Sequence, residues 1–171
     1  DFQPTAAMLV IGKRGENSSF AADHLGSNLE RLLRASTRPV LIANPEFKPL
    51  DRCLFSFDGG PRAPTALRLA AKGALLKGVA VHLLRIGEDA AETRAELDGA
   101  AALLTQGGLQ VEAELHPKAE PDAVILERLE ATEADLLIMG AYGHSRIRQL
   151  IIGSTTTTVI RACPTPVLMA R

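Results

Sequence analysis

Short apolar runs alternate along this chain with longer stretches in which apolar residues recur every three or four positions. The first kind predicts strands and the second amphipathic helices. From residue 51 on, Arg52 to Phe57 predicts a strand. Pro64 to Lys77 predicts a helix, with proline near its first turn and Gly78 as its stop. Val79 to Ile86 follows as a strand. Ala90 to Leu104 reads as a helix whose wetter face carries Glu92, Arg94, Glu96 and Asp98, ended by Gly107-Gly108. Leu109 to Leu115 alternates and reads as an edge strand, and Pro121 to Ala131 as a helix with Asp122 in its first turn. A strand at Leu136 to Met139, a helix at Ser154 to Arg161 and a strand at Val167 to Ala170 complete the series. Residues 1–50 hold only strand, loop, helix and strand.

Regular strand–helix alternation predicts a doubly wound α/β domain, with a parallel sheet, right-handed crossovers and helices on both faces. The continuous apolar run Leu136 to Met139 suits a strand buried on both sides.

Part of the pattern occurs twice. Met8-Leu9-Val10-Ile11-Gly12-Lys13-Arg14-Gly15 matches Leu136-Leu137-Ile138-Met139-Gly140-Ala141-Tyr142-Gly143. Gly26-Ser27, Arg34-Ala35 and Pro39-Val40-Leu41 then match Gly153-Ser154, Arg161-Ala162 and Pro166-Val167-Leu168. Residues 1–50 thus read as the later half of one unit with a linker, and residues 51–171 as a complete unit of the same kind. The linker, Asn44 to Leu50, has two prolines and no periodicity. About 50 residues of this kind bury too little surface to stand alone, so the half unit is expected to dock on the complete one or on another copy. A chain without an initiator methionine, opening on the approach to a fourth strand, reads as a fragment of a longer protein.

Composition narrows the function classes. The chain is 46% hydrophobic and 23% charged, ordinary for a globular protein. Its net charge of −1 gives no global field favouring nucleic acid or an anionic membrane, and no apolar run approaches the ~20 residues that span a bilayer. The two cysteines, Cys53 and Cys163, form neither a metal set nor a disulfide framework, which points to reduced thiols and a cytoplasmic setting.

The chemistry concentrates after Met139. Gly140 and Gly143 stand at a strand end, and Gly153-Ser154-Thr155 opens a helix. Glycines let backbone approach a ligand closely, and a helix start offers unpaired N–H groups beside two hydroxyls. Together these make a phosphate cradle. The same residues also suit a tight turn and a helix cap. His144, Arg146 and Arg148 follow, able either to neutralise phosphate or to form a solvated face. His144 has no partner at metal-ligand spacing. There is no G-x-x-x-x-G-K-[S/T], so this is not a P-loop, and no base is paired with a nucleophile at informative spacing. The first copy of the loop is weaker. Its interval from Gly15 to Gly26 holds ten residues rather than nine, and it includes Glu16 and Asp23, which repel phosphate.

Gly140-x-x-Gly143, nine residues, then Gly153-Ser154 resembles the signature of the universal stress protein family. Cys53 to Gly60 resembles that family's first strand with its terminal Asp58, and Pro166 to Ala170 its last. The resemblance covers 51–171 and, as a half domain, 5–45. It implies a five-stranded Rossmann-like sheet in the order 3-2-1-4-5, with ligand outside the carboxyl ends of strands 1 and 4, where the order reverses. It implies adenosine contacts near the ends of strands 1 and 2, hence at Ser56, Asp58 and Ile86. Asp58 also suits a turn before Gly59-Gly60.

The implied ligand is ATP, alone or with Mg2+. The implied role is a stress-response regulator that binds nucleotide without turning it over. Tandem units, or two copies, are expected to join through their last strands, bringing Val40 and Ile42 near Val167 and Met169. A dimerisation scaffold of the same fold is the main alternative. A nucleotide-activating enzyme is disfavoured, because Phe57-Asp58-Gly59-Gly60-Pro61-Arg62 lacks the S-G-G-x-D-S that grips pyrophosphate in such enzymes.

Overall fold

A computed structural model describes residues 6–13, 27–60, 63–140 and 154–170. The strands are β1 (Leu9–Gly12), β2 (Val40–Ala43), β3 (Arg52–Phe57), β4 (Ala80–Gly87), β5 (Gln110–Pro117), β6 (Leu136–Gly140) and β7 (Val167–Ala170). The helices are α1 (Ser27–Ala35), α2 (Ala63–Lys72), α3 (Ala91–Gln106), α4 (Pro121–Ala131) and α5 (Ser154–Ala162). The strands form one sheet in the order β1-β2-β7-β6-β3-β4-β5. Its seven strands exceed the expected five because β1 and β2 extend it beyond β7. From β3 onward the order is β5-β4-β3-β6-β7, and every pairing within that set is parallel.

Alternation along each strand sorts side chains onto two faces. Leu54, Leu84, Leu137, Met139, Val167 and Met169 form one core with α1, α4 and α5. Cys53, Phe55, Phe57, Val81, Leu83 and Ile138 form another with α2 and α3. Four consecutive residues of β6 are buried, as a strand covered on both faces requires, whereas β5 at the sheet edge is largely open.

The described residues before β3 dock on the rest of the same chain. β2 pairs antiparallel with β7, setting Val40 opposite Met169 and Ile42 opposite Val167. Leu29, Leu33, Val40 and Ile42 are all buried in the shared core. Burial of each such side chain is worth roughly 1.5–3 kcal/mol. A nine-residue helix such as α1 is marginal in water without packing of this kind. Two further contacts fasten the junction. Lys13 Nζ donates to the Cys163 carbonyl at 2.6 Å, and Asn44 Nδ2 to the Pro164 carbonyl at 2.6 Å.

One helix is shorter than its pattern suggests. α2 ends at Lys72 rather than at Lys77, and a separate 3-10 turn covers Ala74–Leu76. Gly73 is the cause: its backbone is extended (φ −76°, ψ 138°), and a Cβ there would lie 2.8 Å from the Leu69 carbonyl oxygen. The apolar period continues through this break because Leu76 still returns to the core.

Candidate functional site

The sheet reverses its winding between β3 and β6. The chain leaves β3 through α2 on one face and leaves β6 through α5 on the other, so the carboxyl ends of these strands open a crevice. Ser56 stands opposite Met139 on β6 and Leu84 on β4. Gly140, one step past Met139, is therefore level with Phe57, and Asp58 lies one step beyond. Ile86 follows Arg85, which stands opposite Phe57, so Ile86 is level with Asp58. Ser56, Asp58, Ile86 and Gly140 are thus gathered at one end of the sheet. Ser56 and Ile86 belong to the face carrying α4 and α5. Thr155, partly exposed, sits in the first turn of α5, which Ser154 opens. Gly143 and Gly153 lie outside the described residues, as do Tyr142, His144, Arg146 and Arg148.

Among the described residues, a Cβ built on Gly140 would meet nothing within 4 Å. Packing against the described residues therefore does not demand glycine at this strand end.

Asp58 shapes its own turn. Its Oδ1 accepts the Gly60 N–H at 2.9 Å, and Gly59 between them has φ +69°. A side chain at Gly59 would be strained, and its Cβ would sit 2.5 Å from Glu96 Oε2 and 3.0 Å from Arg85 Nη2. Asp58 thus serves as the turn residue that its sequence context also suggested, and its carboxylate is held at the crevice mouth.

Arg85 escaped the sequence reading. Its Nη1 donates to the Ile86 carbonyl at 3.0 Å and its Nη2 to Glu96 Oε2 at 3.3 Å, while the guanidinium lies 5.9 Å from the centre of the Phe57 ring. Arg85 therefore braces the β3–α2 turn against β4 and α3. Its Nε is buried with no hydrogen-bond partner among the described residues. The available signal was periodicity, since Val81, Leu83 and Arg85 share one inward-facing row of β4.

Two other features are separate from the crevice. An apolar cavity lined by Met8, Pro39, Leu69, Leu75, Ile138 and Ala170 lies beside α2, on the face away from α5. On β4, β5 and α4, Glu114 accepts Arg128 Nε at 2.9 and 3.0 Å and contacts His82 Nε2 at 2.8 Å. Burial pushes the Glu114 carboxyl up, but hydrogen bonds from Arg128 and His82 outweigh it and hold the group below the ordinary glutamate range. Both cysteines are buried and free, and burial pushes the Cys53 thiol well up, which leaves it unreactive.

A doubly wound, mostly parallel α/β sheet whose strand order reverses between β3 and β6 defines a Rossmann-like fold. Comparison with known proteins agrees. The model of the Universal stress protein family matches residues 86–171. Universal stress protein Slr1230 of Synechocystis is 37% identical over 166 residues, covering 96% of this chain and 58% of its own length. The crystal structure of a universal stress protein from Archaeoglobus fulgidus superposes with a TM-score of 0.74 at 25% identity, over 99% of this chain and 62% of that one. The structure of the universal stress protein from A. fulgidus in complex with dAMP has the same fold, with a TM-score of 0.54 and 24% identity over 73% of this chain and all of its own. The chain belongs to the universal stress protein family. It spans about three fifths of the length of the curated relatives it matches.

Proposed function

We propose that this protein binds an adenine nucleotide, with ATP as the expected ligand, at the carboxyl ends of β3 and β6. The observation that carries the proposal is Gly140, a strand-end glycine whose Cβ position is open among the described residues and which stands level with the β3 end bearing Asp58. The phosphates would lie on Gly140, Gly143, Gly153, Ser154 and Thr155. Gly143 and Gly153 enter this set from the sequence pattern alone. The adenosine would lie against Ser56, Asp58 and Ile86. Asp58 holds its turn through Oδ1, and its carboxylate would accept from a ribose or base donor. Magnesium would accompany the triphosphate. A dAMP complex in a protein of the same fold makes adenine nucleotides the class to test.

The protein acts in this reading by binding, not turnover: nucleotide occupancy biases its partners in a cytoplasmic stress response. The repeat, together with relatives of greater length, favours residues 1–50 as the later half of one unit and 51–171 as a complete second one. The β2–β7 pairing would then be the internal pseudo-dimer junction. That junction also favours a second reading, a scaffold whose crevice stays empty.

Melting the protein with and without ATP separates the two. A ligand bound only to the native state raises the melting temperature as its concentration rises. A rise with ATP supports the nucleotide reading, and an unchanged transition at millimolar ATP supports the scaffold.

A further inference from the structure

Arg85 carries a charge where its strand calls for an apolar side chain. Val81 and Leu83 precede it on one row of β4, and both are buried in the core shared with α2 and α3. A methionine or leucine would continue that row. Arginine instead leaves a buried Nε with no hydrogen-bond partner among the described residues, which costs stability. Its ion pair with Glu96 does not settle the matter, since apolar residues of similar volume often serve a core as well as a largely buried ion pair does. Core packing therefore does not account for Arg85.

Its contacts give it a different role. Phe57 stands directly opposite Arg85 across the β3–β4 pair, and the guanidinium lies 5.9 Å from the centre of its ring, within cation–π range. On the other side of Asp58, a Cβ built on Gly59 would lie 3.0 Å from Arg85 Nη2, so the guanidinium packs close over the Gly59 backbone. Arg85 thus reaches the residues on both sides of Asp58. Its Nη1 donates to the Ile86 carbonyl at 3.0 Å. One rigid, planar group therefore spans the end of β3 and the end of β4. Glu96 on α3 holds that group in place, accepting from Nη2 at 3.3 Å.

The sheet separates Arg85 from the crevice side that the nucleoside would occupy. Arg85 shares the α2–α3 face with Phe57, whereas Ser56 and Ile86 belong to the face carrying α4 and α5. Whatever Arg85 does for a ligand there, it does through Asp58 and Ile86.

We propose that Arg85 is a positioning residue for nucleoside recognition: from the far face of the sheet it fixes Asp58 relative to Ile86. The proposal rests on the nucleotide reading above, in which these two residues meet adenosine, and it gives Arg85 no part in holding the phosphates. Without the guanidinium, the Asp58 turn and the β4 end lose their common brace. The carboxylate is then no longer pre-set for a ribose or base donor, and binding must order it first.

Calorimetric titration of the whole chain with ATP and with tripolyphosphate, for the wild type, Arg85→Met, Asp58→Asn and the double variant, tests it. Arg85→Met is expected to melt at or above the wild-type temperature, with ATP affinity lowered about tenfold, the scale of the one charged hydrogen bond that it misplaces. Tripolyphosphate affinity should stay at the wild-type level. Asp58→Asn should weaken ATP less in the Arg85→Met background than in the wild type, because a carboxylate no longer held in position has less to lose. A merely structural arginine would leave the effect of Asp58→Asn the same in both backgrounds. Equal ATP affinity in wild type and Arg85→Met overturns the inference and leaves the nucleotide reading standing. Additive effects of the two substitutions, or equal losses for ATP and tripolyphosphate, also overturn it. Should Arg85→Met fail to fold, Arg85→Lys keeps the cation and removes the fork, and wild-type ATP affinity in that variant overturns the inference. Absence of ATP binding by the wild type overturns the nucleotide reading and this inference with it.

Discussion

Val40 stands directly opposite Met169 across an antiparallel pair, and both side chains are buried in the core that α1 shares with α4 and α5. The contact joins residues far apart in sequence and fixes β2 to β7. Truncating Met169 to alanine should cost about 2–5 kcal/mol, the range for buried large-to-small changes. Val40→Ala should cost less, since a smaller side chain is removed. The pair should also be coupled, with the double mutant departing from additivity by about 0.5–3 kcal/mol. Urea unfolding of the four proteins measures this, and strict additivity would contradict the pairing.

Asp58 has two duties that separate chemically. Asp58→Asn retains an acceptor for the Gly60 N–H and so should preserve the turn, while removing the charge offered to the ligand. ATP binding should weaken by about 1–3 kcal/mol, as for a lost hydrogen bond to a charged group. Binding of tripolyphosphate should change little. An equal loss for both ligands, measured by competition titration, would show that Asp58 acts on the phosphates or on the fold and not on adenosine.

The strands of the complete unit were readable because burial on both faces leaves near-continuous apolar runs, and β3 and β7 have the bounds their patterns suggest. α4 was equally legible from Pro121 at its start, with Asp122 in its first turn, to Ala131. The end of α2 was not. Gly73 breaks the helix while Leu76 keeps the apolar period intact, and hydrophobic pattern is blind to backbone direction. Gly140 and Asp58 could be placed at neighbouring strand ends from the sequence because each closes an apolar run. Arg85 could not be recognised, since an arginine on an inward row reads as an error in alternation until its partners, Glu96 and Phe57, are brought together in space.

Glu114 gives the fold a definable acid sensitivity. Its carboxyl titrates lower in the folded protein than in the unfolded chain, because the bonds from Arg128 and His82 overcome the effect of burial. The unfolded state therefore binds the proton more readily. The stability this group contributes is present above the ordinary glutamate value, about 4.3, and is lost as pH falls through the folded value. Glu114→Gln should lower stability at neutral pH and flatten the stability–pH curve below about pH 5. Parallel curves for wild type and variant across that window would rule out the contribution.

The most direct test of nucleotide binding at the β3–β6 crevice is a calorimetric titration of ATP into wild type and Gly140→Val. Because a Cβ at Gly140 meets nothing within 4 Å among the described residues, the variant should fold and melt close to the wild type. Its methyl groups would occupy the space through which phosphate approaches the backbone. Saturable ATP binding by the wild type, absent in a folded Gly140→Val, is the predicted result. Equal ATP affinity in the two proteins would contradict it.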